Sequence, residues 1–383
     1  MILSRTTLCT ALLFSLTACG PEFDGSETES PLARSSAVAV DPWPTGQRID
    51  VSIPNGALGY TLNGYLYLPP GTPTDETSDA PKVPALVMLH GCAGLFNDSG
   101  QLKRVFDQAS TDSAQQGWAQ RALGAGIAVL LVDSLTTRGL SDGSQVTITR
   151  NGSPVTVTIS KGICKEGSGY PGDDVLFAKG VEETTQRPLD ALAARQFLAT
   201  VPGIDTNRVG VLGWSHGGST VMALLAHSNT WTSSNGQTQT GTAPLYNAAK
   251  PFKVGYAFYP GCGLETRDAD DGASDLTPER NYGGLSLTGT VANSTWIPNV
   301  PFRLVMGTSD SLLTNCKDRR LVKAKQLALA DASVADAYPS NVHHSFDEAF
   351  SAGGSFVQAD VDAKITYDQQ ALDFLEDSLA PAP

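Results

Sequence analysis

Positive charge is scarce in this chain. It carries 26 lysines and arginines against 39 aspartates and glutamates, with a formal net charge of −13 and a pI of about 4.8. Nothing here would neutralise a run of phosphates, which excludes nucleic acid as a partner. Histidine is scarcer, at five residues, and the six cysteines form no C-x-x-C pair. No metal site is therefore expected. Long apolar runs are missing as well, since Leu8 to Leu16 is too short to span a bilayer. No internal repeat is found. What remains is 383 residues at 41% hydrophobic and 17% charged, enough for a sizeable core in one large domain or two modest ones.

The first residues read as a targeting segment. Arg5 supplies a basic n-region, Leu8 to Leu16 an apolar core, and Leu16-Thr17-Ala18-Cys19 resembles a bacterial lipobox with Cys19 as the lipidated residue. An ordinary signal peptide cut nearby is the alternative. Either reading exports the chain; Gly20 after Cys19 looks like outer-membrane sorting. Expected are a signal peptide over 1–18, a flexible polar tether over 19–45 and one domain over 46–383. In an oxidising compartment Cys92, Cys164, Cys262 and Cys316 could form two disulfides or stay as buried thiols.

Eleven residues organise the domain. Val209 to Leu212 is a short, β-branched-rich strand; Gly213-Trp214-Ser215-His216-Gly217 follows, then an apolar helical run from Val221 to Leu225. Strand, G-x-S-x-G and helix together are the context of a nucleophile elbow, in which glycines leave room for a sharply turned serine. The following helix aims its first N–H groups at any anion formed there.

Around this elbow, strand and helix patterns alternate. Arg48 to Ile53 and Tyr60 to Leu68 predict an edge hairpin, while Val83 to Leu89, Ile127 to Val132, Phe252 to Tyr259 and Phe302 to Met306 predict buried strands. Helices are expected over most of Asp98 to Leu123, from Pro188 toward Pro202, near Leu321 to Ala330, and near Ala359 to Leu379. A short strand at Val334 to Tyr338 and a loop at Asn229 to Thr242 complete the reading. Val146 to Thr149 and Val155 to Ile159 predict a hairpin insertion after the strand ending near Val132. The fold class is α/β, a mainly parallel sheet with helices on both faces. Chemistry in such sheets gathers beyond the strands' carboxyl ends, where His90, Cys92, Asp133, Ser215, Cys262 and Asp310 all fall.

A serine needs a base, usually a histidine oriented by a carboxylate. His90 and His216 belong to turns where the backbone matters, and His227 reads as a solvated helix end. His343 and His344, on a loop after the last strand, are left as candidate bases. Asp310, directly after a buried strand and between serine and histidine in the chain, is the candidate acid; Asp268, Asp270, Asp271 and Asp275 read as solvated loop charges.

These residues resemble the dienelactone hydrolase family of α/β-hydrolases, especially its exported bacterial members. The shared features are Leu89-His90-Gly91-Cys92-Ala93-Gly94, Asp133-Ser134 with Arg138-Gly139, Gly213-Trp214-Ser215-His216-Gly217-Gly218, Tyr259-Pro260-Gly261-Cys262, Gly307 with Asp310, and His344-Ser345-Phe346-Asp347. The resemblance implies an α/β-hydrolase fold, selects His344 over His343, and places an oxyanion hole at the N–H groups of Cys92 and His216. The family's namesakes use a cysteine nucleophile, and this chain has Ser215. That points to a serine carboxylesterase working through an acyl-enzyme, with no cofactor, on a small-molecule or polymeric ester. A peptidase of the prolyl oligopeptidase type and a non-catalytic cell-surface binding module are the rival readings. The Gly-Trp-Ser elbow also looks like that of cutinase-like polyester hydrolases, so Trp214 either lines an acyl pocket or packs as core. Arg138 either meets a substrate carboxylate or makes a structural salt bridge. The strand order that the resemblance implies pairs Cys92 with Cys164 and Cys262 with Cys316.

Overall fold

The computed structural model describes residues 45–75, 79–141, 143–150, 153–159, 163, 179, 181, 183, 186–225, 230–232, 238–240, 252–261, 300–313 and 334–381. The chain divides into Met1–Val40 and Asp41–Pro383, and the described residues all belong to the second unit.

Eight strands form one mixed sheet. From edge to edge it runs β1 (Arg48–Asn55), β2 (Tyr60–Tyr67), β4 (Ala128–Asp133), β3 (Val83–Leu89), β7 (Ile204–Trp214), β10 (Val254–Phe258), β11 (Phe302–Val305) and β12 (Val334–Ala337). β1 and β2 form an antiparallel hairpin, and β2 runs antiparallel to β4. From β4 to β12 every neighbouring pair is parallel. The sequence explains the difference. β4 and β10 are buried at every residue, as strands covered on both faces must be, whereas β1 alternates exposed and partly buried positions, as befits an edge.

Helices cover both faces. Tyr256 and Phe258 of β10 share one side of the strand, where Tyr256 meets Phe374 of α5 (Gln358–Leu379) and Phe258 meets Trp118 of α2 (Trp118–Gly124). Gly255 faces the other way, toward Val221 and Leu225 of α4 (His216–Leu225), and a Cβ there would come within 2.2 Å of Leu225. α3 (Arg187–Leu198) precedes β7, with Pro188 in its first turn.

The parallel register brings the carboxyl ends of the strands level. Leu89 pairs with Val132 and Gly213, while Phe258 pairs with Trp214 and Val305. Every loop leaving those ends opens on the same rim.

The insertion is the expected hairpin, β5 (Gln145–Arg150) and β6 (Ser153–Thr158). It anchors a second apolar cluster of Leu135, Leu140, Val146, Ile159, Ile163 and Val181, against which Cys92 packs. Two expectations change, and a third is not reached. Asp98 to Leu123 is not mostly helical: it holds only α1 (Arg104–Asp107), a 3-10 turn at Ser113–Gln115, and α2. Ser110 Oγ and Asp112 Oδ1 accept from the backbone N–H groups of Asp112 and Ala114, an alternative to helical bonding. Gly117 packs so closely that a Cβ would lie 2.6 Å from the Arg104 carbonyl oxygen. The expected loop over Asn229 to Thr242 contains a short antiparallel pair, β8 (Thr230–Thr232) with β9 (Thr238–Thr240); the turn-forming pair Asn235-Gly236 between them is the signal that was passed over. The helix expected near Leu321 to Ala330 lies outside the described residues.

Candidate active site

Ser215 occupies the tip of the turn between β7 and α4 with φ of 50°. The flanking glycines are required by space. A Cβ on Gly213 would sit 2.3 Å from the Gly217 carbonyl oxygen, and one on Gly217 would sit 2.1 Å from that of Leu89. Gly91 lies against Ser215 from the β3 side, its Cβ position being 3.4 Å from Ser215 Cβ.

Two further loops converge on this tip. A Cβ on Gly307, after β11, would lie 1.9 Å from the Val342 carbonyl oxygen. In its absence the backbone N–H groups of Thr308 and Ser309 donate to the carbonyls of Pro339 and Val342 at 2.9 Å each. This stitches the loop carrying Asp310 to the loop carrying His344. His344 Nε2 lies 2.9 Å from Ser215 Oγ, and His344 Nδ1 lies 2.6 Å from Asp310 Oδ2. Asp310 Oδ1 accepts the Leu312 N–H at 2.8 Å, which fixes the carboxylate. An ionised carboxylate only accepts, so the proton of a neutral His344 sits on Nδ1 and Nε2 is left to take the serine hydrogen. Asp310 is buried while the His344 side chain is 32% exposed, so the series runs from interior to solvent. The Tyr259 ring packs against His344 with centroids 4.6 Å apart.

His343 turns away. Its backbone N–H donates to Asp360 at 2.7 Å and its Nδ1 lies 3.2 Å from the same carboxylate.

Of the two N–H groups expected to hold an oxyanion, that of His216 follows Ser215 directly, and that of Cys92 follows Gly91, which lies against Ser215. His216 opens α4, so its N–H has no acceptor within the helix. Cys92 follows Gly91 in the turn after β3. That turn is braced by His90, which is wholly buried; its Nε2 accepts the Ser134 N–H at 3.1 Å and its Nδ1 lies 2.6 Å from the Gly91 carbonyl. Burial, with the Arg187 charge adding to it, pushes the His90 pKa well below the ordinary imidazole value, so His90 is neutral and donates through Nδ1.

Arg138 and Trp214, expected either as substrate contacts or as packing residues, both take the packing alternative. Arg138 is buried and held by Asp190 through both terminal nitrogens, at 3.0 and 2.8 Å, while Nη1 also donates to the Ser134 carbonyl. Burial and the two-point contact with Asp190 make this a structural salt bridge. Trp214 is 3% exposed and packs with Phe106, Trp118 and Phe258. Its place at the end of β7 points its ring into the core among these aromatics. Cys19, Cys164, Cys262 and Cys316 lie outside the described residues, as do His227 and Asp268 to Asp275.

Sequence reasoning passed over Arg187 and Glu183. Arg187 is wholly buried, with Nη1 2.7 Å from His216 Nδ1 and Nη2 donating to the His90 carbonyl at 2.9 Å. Glu183 Oε2 lies 2.9 Å from His216 Nε2. Burial pulls the Arg187 pKa down to about 10, with Asp190 and Glu183 opposing, which leaves it charged at neutral pH. Burial would lift the Glu183 carboxyl, but the hydrogen-bonding His216 ring that faces it and the Arg187 charge hold it below the usual range. An arginine opening a helix, where the dipole favours an acid, was the available signal.

Among the described residues, no group of His, Cys, Asp and Glu could hold a metal ion.

No family model and no curated protein matches the sequence. Solved structures with a similar backbone include a thermophilic, thermostable carboxylesterase cloned from a metagenomic library, at 15% identity and TM-score 0.46, covering 88% of this chain and 91% of that one. A dienelactone hydrolase-like promiscuous phosphotriesterase from metagenomic libraries is similar at 14% and 0.44, over 86% and 98%. An acylaminoacyl peptidase from Pyrococcus horikoshii is similar at 16% and 0.48, over 89% of this chain and 43% of that one. The strand order settles the architecture, with the third and fourth strands of the sheet exchanged in space, the second antiparallel and the serine turn after the fifth. The chain has the α/β-hydrolase fold. Within that fold the turn at Ser215 follows the fifth strand, and the loops carrying Asp310 and His344 come after it in that order.

Proposed function

We propose that the protein is a serine hydrolase that cleaves carboxylic esters through an acyl-enzyme. The observation that carries this is the unbroken series Ser215 Oγ, His344 and Asp310, at 2.9 and 2.6 Å, on an elbow whose following helix begins at His216. In this reading Ser215 Oγ attacks the ester carbonyl and its proton passes to His344 Nε2. The imidazolium is stabilised by Asp310, and the oxyanion by the N–H groups of Cys92 and His216. Collapse expels the alcohol, which takes the proton from His344. Water, deprotonated by His344 in turn, attacks the acyl carbon, and the carboxylic acid leaves as Ser215 regains its hydrogen.

The test is a panel of 4-nitrophenyl and alkyl esters, with Ser215→Ala as the blank, and a fluorophosphonate probe whose adduct is mapped by mass spectrometry. Hydrolysis above the blank and a label on Ser215 are expected. No turnover of any ester, with the label absent, would return the chain to the binding-module reading; cleavage of peptide substrates in preference to esters would favour the peptidase.

Export and a lipid anchor on Cys19 belong to the same proposal and rest on the lipobox-like Leu16-Thr17-Ala18-Cys19.

A further inference from the structure

The oxyanion site is assembled from two segments distant in the chain, the turn after β3 that carries Cys92 and the elbow that carries His216. A single buried guanidinium reaches both. Arg187 Nη2 donates to the carbonyl of His90, two residues before Cys92, and Nη1 meets the ring of His216. The guanidinium only donates, so His216 Nδ1 must accept and must carry no proton. The hydrogen of the neutral ring then sits on Nε2, facing Glu183 Oε2 at 2.9 Å. Arg187 thus links the His90 carbonyl to the His216 ring, and Glu183 stands beside the far nitrogen of that ring.

Resting on the esterase reading, we propose that Arg187 is a positioning residue that holds the two oxyanion donors in register, with Glu183 fixing the His216 ring that Arg187 grips. The local sequence carries a cost that this role explains. Arg187 opens α3, where the helix dipole disfavours a cation, and it is wholly buried, where a charge needs partners. A lysine would present a point donor; the planar fork spans two acceptors at once. An error of about 1 Å in such a site costs on the order of 100-fold in rate.

The experiment measures kcat and KM for 4-nitrophenyl acetate per active site, counted by fluorophosphonate titration, so that loss of folded protein does not enter. Arg187→Met is expected to lower kcat about 100-fold with KM little changed. It should also weaken a trifluoromethyl ketone, whose adduct needs the same donors, by a similar factor. Arg187→Lys should fall between. A kcat for Arg187→Met within about threefold of wild type would overturn the proposal. Should Arg187→Met fail to fold, a pair at His216 decides. His216→Ala removes the grip, whereas His216→Asn offers Oδ1 near the place of Nδ1, so Ala should lose activity and Asn should recover most of it. Equal kcat in the two variants would overturn the proposal. A wild type that neither hydrolyses esters nor labels at Ser215 would refute the esterase reading itself, and an active wild type with indifferent Arg187 and His216 variants refutes this inference alone.

Discussion

Ser215 adopts φ of 50°, a conformation that costs a non-glycine residue of order 1 kcal/mol or more, and the surrounding turn has to hold it there. The return is an Oγ lifted off the strand end toward His344. Ser215→Ala and His344→Ala are each expected to lower kcat by roughly 10⁴-fold or more, and Asp310→Ala by less, since it orients the base without touching substrate. His343→Ala, whose ring faces Asp360, should stay close to wild type. A dead His343→Ala beside an active His344→Ala would exchange their roles. Below the site, Asp347 is wholly buried and hydrogen-bonded to the Tyr259 hydroxyl. Burial, then the charge of Asp368, pushes its pKa up from 3.8 to about 8, against the smaller opposing effect of Lys364. The folded state therefore keeps a proton that the unfolded chain releases, and this group's contribution to stability is lost as pH rises from about 4 to about 8. Asp347→Asn can still accept from Tyr259 and has no proton to lose. Its Tm relative to wild type should therefore improve from pH 5 to pH 8.5, and a difference independent of pH would contradict the assignment.

At the scale of elements, the elbow is a packing device before it is a chemical one. Gly217 lets the start of α4 pass against the end of β3, and a Cβ there would lie 2.1 Å from the Leu89 oxygen. Gly217→Ala should thus push α4 away, costing activity and on the order of 2 kcal/mol or more of stability; a variant with wild-type Tm and kcat would show that the helix yields freely. The same locality explains what could be read in advance. Buried parallel strands and a strand-turn-helix with fixed glycines write themselves into short windows of sequence, so β3, β4, β7 and the Ser215 turn were legible. The segment from Asp98 to Leu123 was not, because Ser110, Asp112 and Gly117 break it through side-chain and close-packing effects that periodicity does not register. Arg138 and Trp214 were legible as residues of the rim but not as to which way they face. Tertiary partners, Asp190 for one and an aromatic cluster for the other, decide that.

The insertion hairpin is joined to the turn bearing Cys92 by the backbone N–H of Ile163, which donates to the Cys92 carbonyl at 2.8 Å. Cys164 is the next residue in the chain, so a Cys92–Cys164 disulfide is the expected pairing, with Cys262–Cys316 as its companion. The first bond would close a loop around the hairpin and stabilise by about 2–4 kcal/mol. Peptide mapping without reductant should recover a 92–164 linked peptide, and Cys164→Ser should lower Tm. A 92–262 or 164–316 peptide, or four alkylatable thiols in the folded protein, would reject the pairing.

At the scale of the whole molecule, the parallel register gathers the Cys92, Ser215 and Asp310 loops on one rim. The sequence adds an expectation about where that rim works. If Cys19 is acylated, the polar stretch 19–45, which lies almost wholly outside the described residues, is expected from its composition to act as a tether, and a flexible chain of that length would have a root-mean-square reach of about 30 Å. A leash of this kind would confine the domain to a thin layer above a lipid surface while leaving it free to reorient toward esters in solution or on a polymer. A net charge of −13 would add repulsion from an anionic leaflet, so the lipid has to hold the protein there by itself. Wild type should therefore partition into detergent and membranes at both low and high salt, and Cys19→Ser should release it into the soluble fraction with kcat on 4-nitrophenyl acetate unchanged. Recovery of wild type wholly in the aqueous phase, with an unacylated N-terminus cut elsewhere, would reject the anchor and leave an ordinary exported protein; partitioning that vanishes at high salt would instead implicate charge, against the sign of the chain.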